Sequence, residues 1–82
     1  MAYNRKNLLK TVLEIQQIYM KLRDDGHSGT WIFENIIHPN YRISRRTLSN
    51  YLGINAKGEL RGRISDREMK AIISLAHTKY SN

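Results

Sequence analysis

Leu8, Val12, Ile15, Tyr19 and Leu22 follow one another at intervals of four, three, four and three residues. That rhythm belongs to one face of an α-helix and does not fit the alternation of a half-buried strand. It predicts a helix over residues 5–23, with Leu9, Leu13 and Met20 widening the apolar stripe. Asn4 is the expected N-cap, and Asp24-Asp25-Gly26 the expected stop. At ~1.5 Å per residue such a helix spans about 30 Å. This is long for a chain of 82 residues, so the helix is expected to be the scaffold. The stripe reads first as core, although its width also leaves room for a contact with a second copy.

The chain contains no cysteine, which removes disulfides and thiolate metal sites from consideration. Folding must rest on packing alone, in a single domain with one modest core. No apolar run approaches the ~20 residues that span a bilayer, and Met1 to Lys10 holds no apolar stretch of signal-peptide length. The expectation is a cytoplasmic protein without a membrane partner.

A second helix is expected after His27-Ser28-Gly29, capped by Ser28 or Thr30. Trp31, Ile32, Phe33, Ile36 and Ile37 make it mostly buried, with Trp31 and Phe33 as core aromatics. Pro39 is expected to end it, because proline lacks the N–H and restricts its predecessor. The last helix opens at Ser65-Asp66-Arg67-Glu68, a capping box, and runs to about Lys79 with Met69, Ile72, Ile73, Leu75 and Ala76 as its apolar face.

Charge is unevenly distributed. The net charge is +7, and residues 42–63 account for +5 of it through Arg42, Arg45, Arg46, Lys57, Arg61 and Arg63 against Glu59 alone. No acidic residue lies between Glu34 and Glu59. A local basic patch raises a positive potential that attracts polyanions, although a solubilising surface has the same composition.

Inside that patch, Ser44 is a good N-cap and Gly53 a good C-terminal stop for a short third helix. At about 100° per residue, Leu48, Tyr51 and Leu52 share one side of it, and Arg46 and Asn50 lie opposite, one turn apart. Ser49 borders the polar face, and Arg45 and Thr47 flank it. Arginine can donate two hydrogen bonds to guanine O6 and N7, and asparagine can pair with the N6/N7 edge of adenine. Small hydroxyls and the first N–H groups of a helix can hold phosphates.

The run Ile43-Ser44-Arg45-Arg46-Thr47-Leu48-Ser49-Asn50-Tyr51-Leu52 resembles the second helix of helix-turn-helix repressors, particularly the lactose-repressor type. The resemblance implies that Arg45, Arg46 and Asn50 reach base edges and that Ser44, Thr47 and Ser49 lie near phosphates. It also implies that Leu48 and Leu52 pack on a preceding helix over Thr30 to Ile37. The match covers residues of about 30–53. It departs from the usual pattern in the connection, since His38 to Ile43 is longer than the common turn of three or four residues and lacks glycine.

Beyond Gly53, residues 54–63 combine Gly58 and Gly62 with charge and are expected to form a loop, a short turn or a small wing. Arg42, Lys57, Arg61 and Arg63 are candidates to follow the phosphate backbone. A solvated linker explains the same residues equally well.

The fold expected is all-α: a small four-helix domain containing a helix-turn-helix. Catalytic and metal-binding residues are not expected, because His27, His38 and His77 are dispersed and no carboxylate pair or phosphate loop is evident. Neither a cofactor nor a small-molecule ligand is expected. The function read from these features is sequence-specific duplex DNA binding on the nucleoid, by a transcriptional regulator of bacterial, phage or mobile-element type. A homodimer would add a second half-site. Two alternatives stay open: an RNA-binding or ribosome-associated basic protein, for which Tyr3 and Tyr41 are the candidate stacking rings, and a module that packs against a protein partner.

Overall fold

A computed structural model describes residues 5–79; the Asn4 cap and the Tyr3 ring lie outside the described residues. The helices in chain order are α1 (Arg5–Asp24), α2 (Gly29–Ile32), a π-helical turn (Phe33–Ile37), α3 (His38–Tyr41), α4 (Arg45–Leu52), α5 (Ala56–Leu60) and α6 (Asp66–Lys79). The all-α expectation holds: among the described residues there is no strand, only an isolated bridge between Arg61 and Ile64. The helix count differs from the four expected, because α5 is a further one-turn helix and the second helical run changes register part-way.

α1 is the scaffold, and α2, α4, α5 and α6 pack directly on it. Its length sets the longest dimension of the molecule, 33 Å. The buried stripe is Leu9, Val12, Leu13, Ile15, Ile18 and Leu22. Ile18 was not among the expected stripe residues, and Met20, expected to widen the stripe, is 57% exposed instead. Ile18 follows Ile15 by three positions and precedes Leu22 by four, so it completes the inner row, whereas Met20 sits about 200° from it. α1 stops as its sequence predicts: Gly26 adopts φ +100°, Gly26 N–H bonds Arg23 C=O and His27 N–H bonds Leu22 C=O. This is a Schellman closure, and the left-handed residue it needs is the glycine.

Two groups of buried side chains divide α1 along its length. Its first half, with Leu9, Val12 and Leu13, packs with Ala56 and Leu60 of α5 and Met69 of α6. Its second half, with Ile15, Ile18 and Leu22, packs with Ile32, Ile37, Leu48 of α4 and Ala76 of α6. α6 therefore runs in the same direction as α1. Lys10 pairs with Glu68 near the start of both helices, and Gln17 meets His77 near the end of α6 at 2.9 Å.

Pro39 does not end the second helical run. The chain stays helical to Tyr41, with Pro39 in the first turn of α3. The π turn immediately before it accommodates the ring. His38 N–H reaches back five residues to Phe33 C=O, so the ladder is already out of α register when the proline removes its donor. Side-chain amides then bond carbonyls in the same stretch: Asn35 Nδ2 donates to Trp31 C=O at 2.9 Å and Asn40 Nδ2 to Ile36 C=O at 2.6 Å. Trp31 is also not a core aromatic. It is 39% exposed and stacks on His27, ring centres 4.0 Å apart and planes inclined by 12°.

Residues 54–63 form neither a wing nor an open loop. Asn55 caps α5 by accepting the Gly58 N–H at 3.1 Å, and Ala56 and Leu60 are fully buried. Ser65 caps α6 by accepting the Glu68 N–H at 3.1 Å. The Glu68 carboxylate pairs with Lys10 of α1.

Candidate nucleic-acid interface

α4 is held at both ends. Ser44 is extended (φ −76°, ψ 164°) and its Oγ accepts the Thr47 N–H, so one of the orphan donors of the first turn is satisfied. The same hydroxyl donates to Thr47 Oγ1 at 3.0 Å. At the other end, Gln16 of α1 donates its side-chain amide to Tyr51 C=O at 2.7 Å and to Ile54 C=O at 2.6 Å. Gln16 was missed in the sequence because a glutamine beside an apolar stripe reads as surface. Its task is to tie the carboxyl end of α4 to the scaffold.

Between those ties, the helix orients as its periodicity predicts. Leu48 is buried at 5% exposure and Tyr51 and Leu52 are half-buried against the core. Arg45, Arg46, Ser49 and Asn50 are exposed and Thr47 is half-buried. Arg46 and Asn50 form the outermost row, about 180° from Leu48. Arg45 and Ser49 form a second row on the shoulder, beside Leu52. The two rows differ in surroundings: the Arg45 guanidinium lies over the ring of Phe33, 5.6 Å from its centre, a distance at which the ring face attracts a cation.

The connection before α4 is shorter than the sequence suggested. Because the preceding helix runs through Pro39, only Arg42, Ile43 and Ser44 separate Tyr41 from Arg45. Arg42 adopts the left-handed conformation (φ 57°, ψ 39°), and its N–H closes on His38 C=O. An arginine thus stands where such turns favour glycine. Its side chain is exposed.

Lys57, Arg61 and Arg63 are also exposed, but the structure does not gather them with the α4 rows. Lys57 and Arg61 share a cleft with Asp66, Met69, Lys70 and Ile73, between α5 and α6. Lys70 lies in a segment of low net charge and was not a sequence candidate. Glu59, the one carboxylate of the basic stretch, is held by Arg5 of α1 in a forked contact (2.9 and 3.2 Å). Among the described residues the ion pairs are Arg5–Glu59, Lys10–Glu68 and Lys21–Asp25, none of which involves a cation between 42 and 63. Tyr41 is half-buried against the core rather than presented for stacking.

Among the described residues no three His, Asp or Glu side chains converge as a metal site would require, and no helix is long and apolar enough to cross a membrane. No family model, curated protein or solved structure matches the chain. The reading of the surface therefore rests on the geometry alone.

Proposed function

We propose that the protein binds duplex DNA in a sequence-specific manner and acts as a transcriptional regulator of bacterial, phage or mobile-element type. In this reading the segment from Gly29 to Leu52 is a helix-turn-helix and α4 enters the major groove. The observation that carries it is the orientation of α4. Leu48 enters the core and Leu52 packs against it, while Arg46 and Asn50, the residue types that pair bidentately with guanine and adenine, are exposed within a stretch, residues 35–58, that contains no Asp or Glu.

Two further features support the reading. The three-residue connection Arg42–Ser44 has the length such motifs use, and Gln16 fixes α4 rigidly, which base readout requires. Tyr41, one of the two rings considered for RNA stacking, is half-buried, which weighs against that ring as a stacking platform. One copy of so short a helix reads only a few base pairs. Two copies on half-sites about 34 Å apart would supply the missing specificity.

The test is selection of bound oligonucleotides from a random duplex pool, followed by fluorescence anisotropy on the enriched site, random duplex and RNA across a salt series. An enriched motif bound at least ~10³-fold tighter than random duplex is expected, with palindromic symmetry if two copies bind. Equal affinity for all three nucleic acids, or no binding, would discard the reading.

A further inference from the structure

α1, α2 and α4 border an open cleft of about 290 Å³ at the shoulder of α4. Its polar lining is Tyr19, Thr30, Arg45 and Ser49, above a floor that includes Phe33 and Leu48. The polar groups are three hydroxyls and a guanidinium, all able to donate, and no carboxylate lines the space. Two of them are fixed. The Tyr19 hydroxyl lies so close to the Gly29 backbone that a Cβ there would sit 2.6 Å from it, and the Arg45 guanidinium rests on Phe33. An anion with several acceptor oxygens can accept from such a set of donors together, and its bond to the guanidinium is charge-assisted.

We infer that this cleft binds a phosphate group, and that in the DNA complex its occupant is a backbone phosphodiester. This rests on the duplex-binding reading and changes one assignment within it. Arg45 is a phosphate anchor, Phe33 its positioning residue, and only Arg46 and Asn50 read bases. Helix geometry agrees: Arg45 and Ser49 share the shoulder row that borders the cleft, whereas Arg46 and Asn50 lie about 100° further round. Thr30 and Tyr19, which the sequence offers as a cap and as a member of the apolar stripe, become ligands.

The probe is inorganic phosphate, titrated against chloride at matched ionic strength while the backbone amides are followed by NMR. Phosphate is expected to shift the amides of Thr30, Arg45 and Ser49, with the shifts lost in Arg45→Ala and reduced in Thr30→Val and Phe33→Leu. On duplex DNA, Arg45→Ala is expected to weaken the selected site and random sequence by the same factor, about tenfold. It should also lower the salt slope by about one unit, with base preference intact. The spectrum without phosphate reports whether each variant is folded; Tyr19→Phe, which removes one oxygen, is the variant of least structural risk and should reduce the shifts as well. Unmoved cleft amides would overturn the inference, as would Arg45→Ala relaxing preference at one base pair while leaving random binding unchanged. Phosphate binding in the cleft by a protein that binds no duplex would instead overturn the duplex reading and leave the cleft as a site for free phosphate.

Discussion

The two halves of α1 are packed alike but charged differently. Around the first half, two ion pairs cross between helices: Arg5 holds Glu59 and Lys10 holds Glu68. Around the second half, the helix docked on the scaffold keeps Arg45 and Arg46 free of carboxylates and turns them to solvent. Exposed ion pairs stabilise a fold by at most about 1 kcal/mol, so neither arrangement is forced by stability. Lys57, Arg61 and Arg63, beside the first half, are exposed and outside those ion pairs as well. What sets α4 apart is that its two arginines and Asn50 share the outward side of one helix, and the proposed interface is placed there for that reason.

The contrast can be attacked at several strengths. The largest effect is expected from truncating the core under each half. Leu48→Ala and Leu60→Ala should each cost about 2–5 kcal/mol. Because both helices pack on one scaffold, thermal unfolding should remain a single transition in both variants. Two separate transitions by circular dichroism would show that the halves fold independently.

Removal of a tie should come next. Gln16→Ala takes the side-chain donor from the carbonyls of Ile54 and of Tyr51, the latter keeping the Ile54 N–H, and should cost about 1–3 kcal/mol in urea unfolding. It should loosen α4 specifically, raising amide exchange in α4 well above that in α5. Uniform exchange across both helices would contradict the role given to Gln16.

On the binding side, Arg46→Ala should lose roughly 1–3 kcal/mol on the selected site and relax the preference at one base pair, with Asn50→Ala behaving similarly. Lys57→Ala, from the other half, should weaken all sequences alike and lower the salt slope by about one unit. If those two signatures coincided, the division between base-reading and backbone-following residues would fail.

The smallest effect concerns acid. The hydrogen bond from Lys10, together with its charge, lowers the Glu68 pKa below its ordinary value of 4.5. A lowered carboxylate contributes stability above its unfolded value, and that contribution is lost as pH falls through the folded one. Glu68→Gln should therefore lower stability slightly at neutral pH, flatten its decline just below pH 4.5 and converge with the unsubstituted protein in stronger acid. An equally steep decline in the variant would show that the pair contributes nothing.

How much of this was legible in the sequence varies with the range of the interaction that decides each feature. The Ser44 and Ser65 caps, the Gly26 stop and the inward leucine of α4 depend on residues within one or two turns, and the chain states them openly. Pro39 was misread because its penalty is removed by a change in hydrogen-bond register upstream, which no local propensity encodes. α5 was misread because Ala56 and Leu60 are helical chiefly by virtue of burial against α1, while their neighbours, two glycines among charges, spell a loop. Gln16 and the cleft residues Tyr19 and Thr30 acquire their partners only through tertiary contact. At the candidate site, then, the charged half was visible in advance and the uncharged half was not.

The π turn at Phe33–Ile37 also absorbs a phase. It stores one more residue than an α-helical turn would need to cover the same path. Deleting a single residue between Glu34 and Ile36 would let the ladder relax to ordinary pitch and leave Tyr41 and the turn beyond it at their present azimuth relative to Ile32. A deletion in the regular helix of α1 has no such slack: it would rotate everything beyond it by about 100°, and the same loss of one residue that the π turn tolerates would there displace the whole inner row.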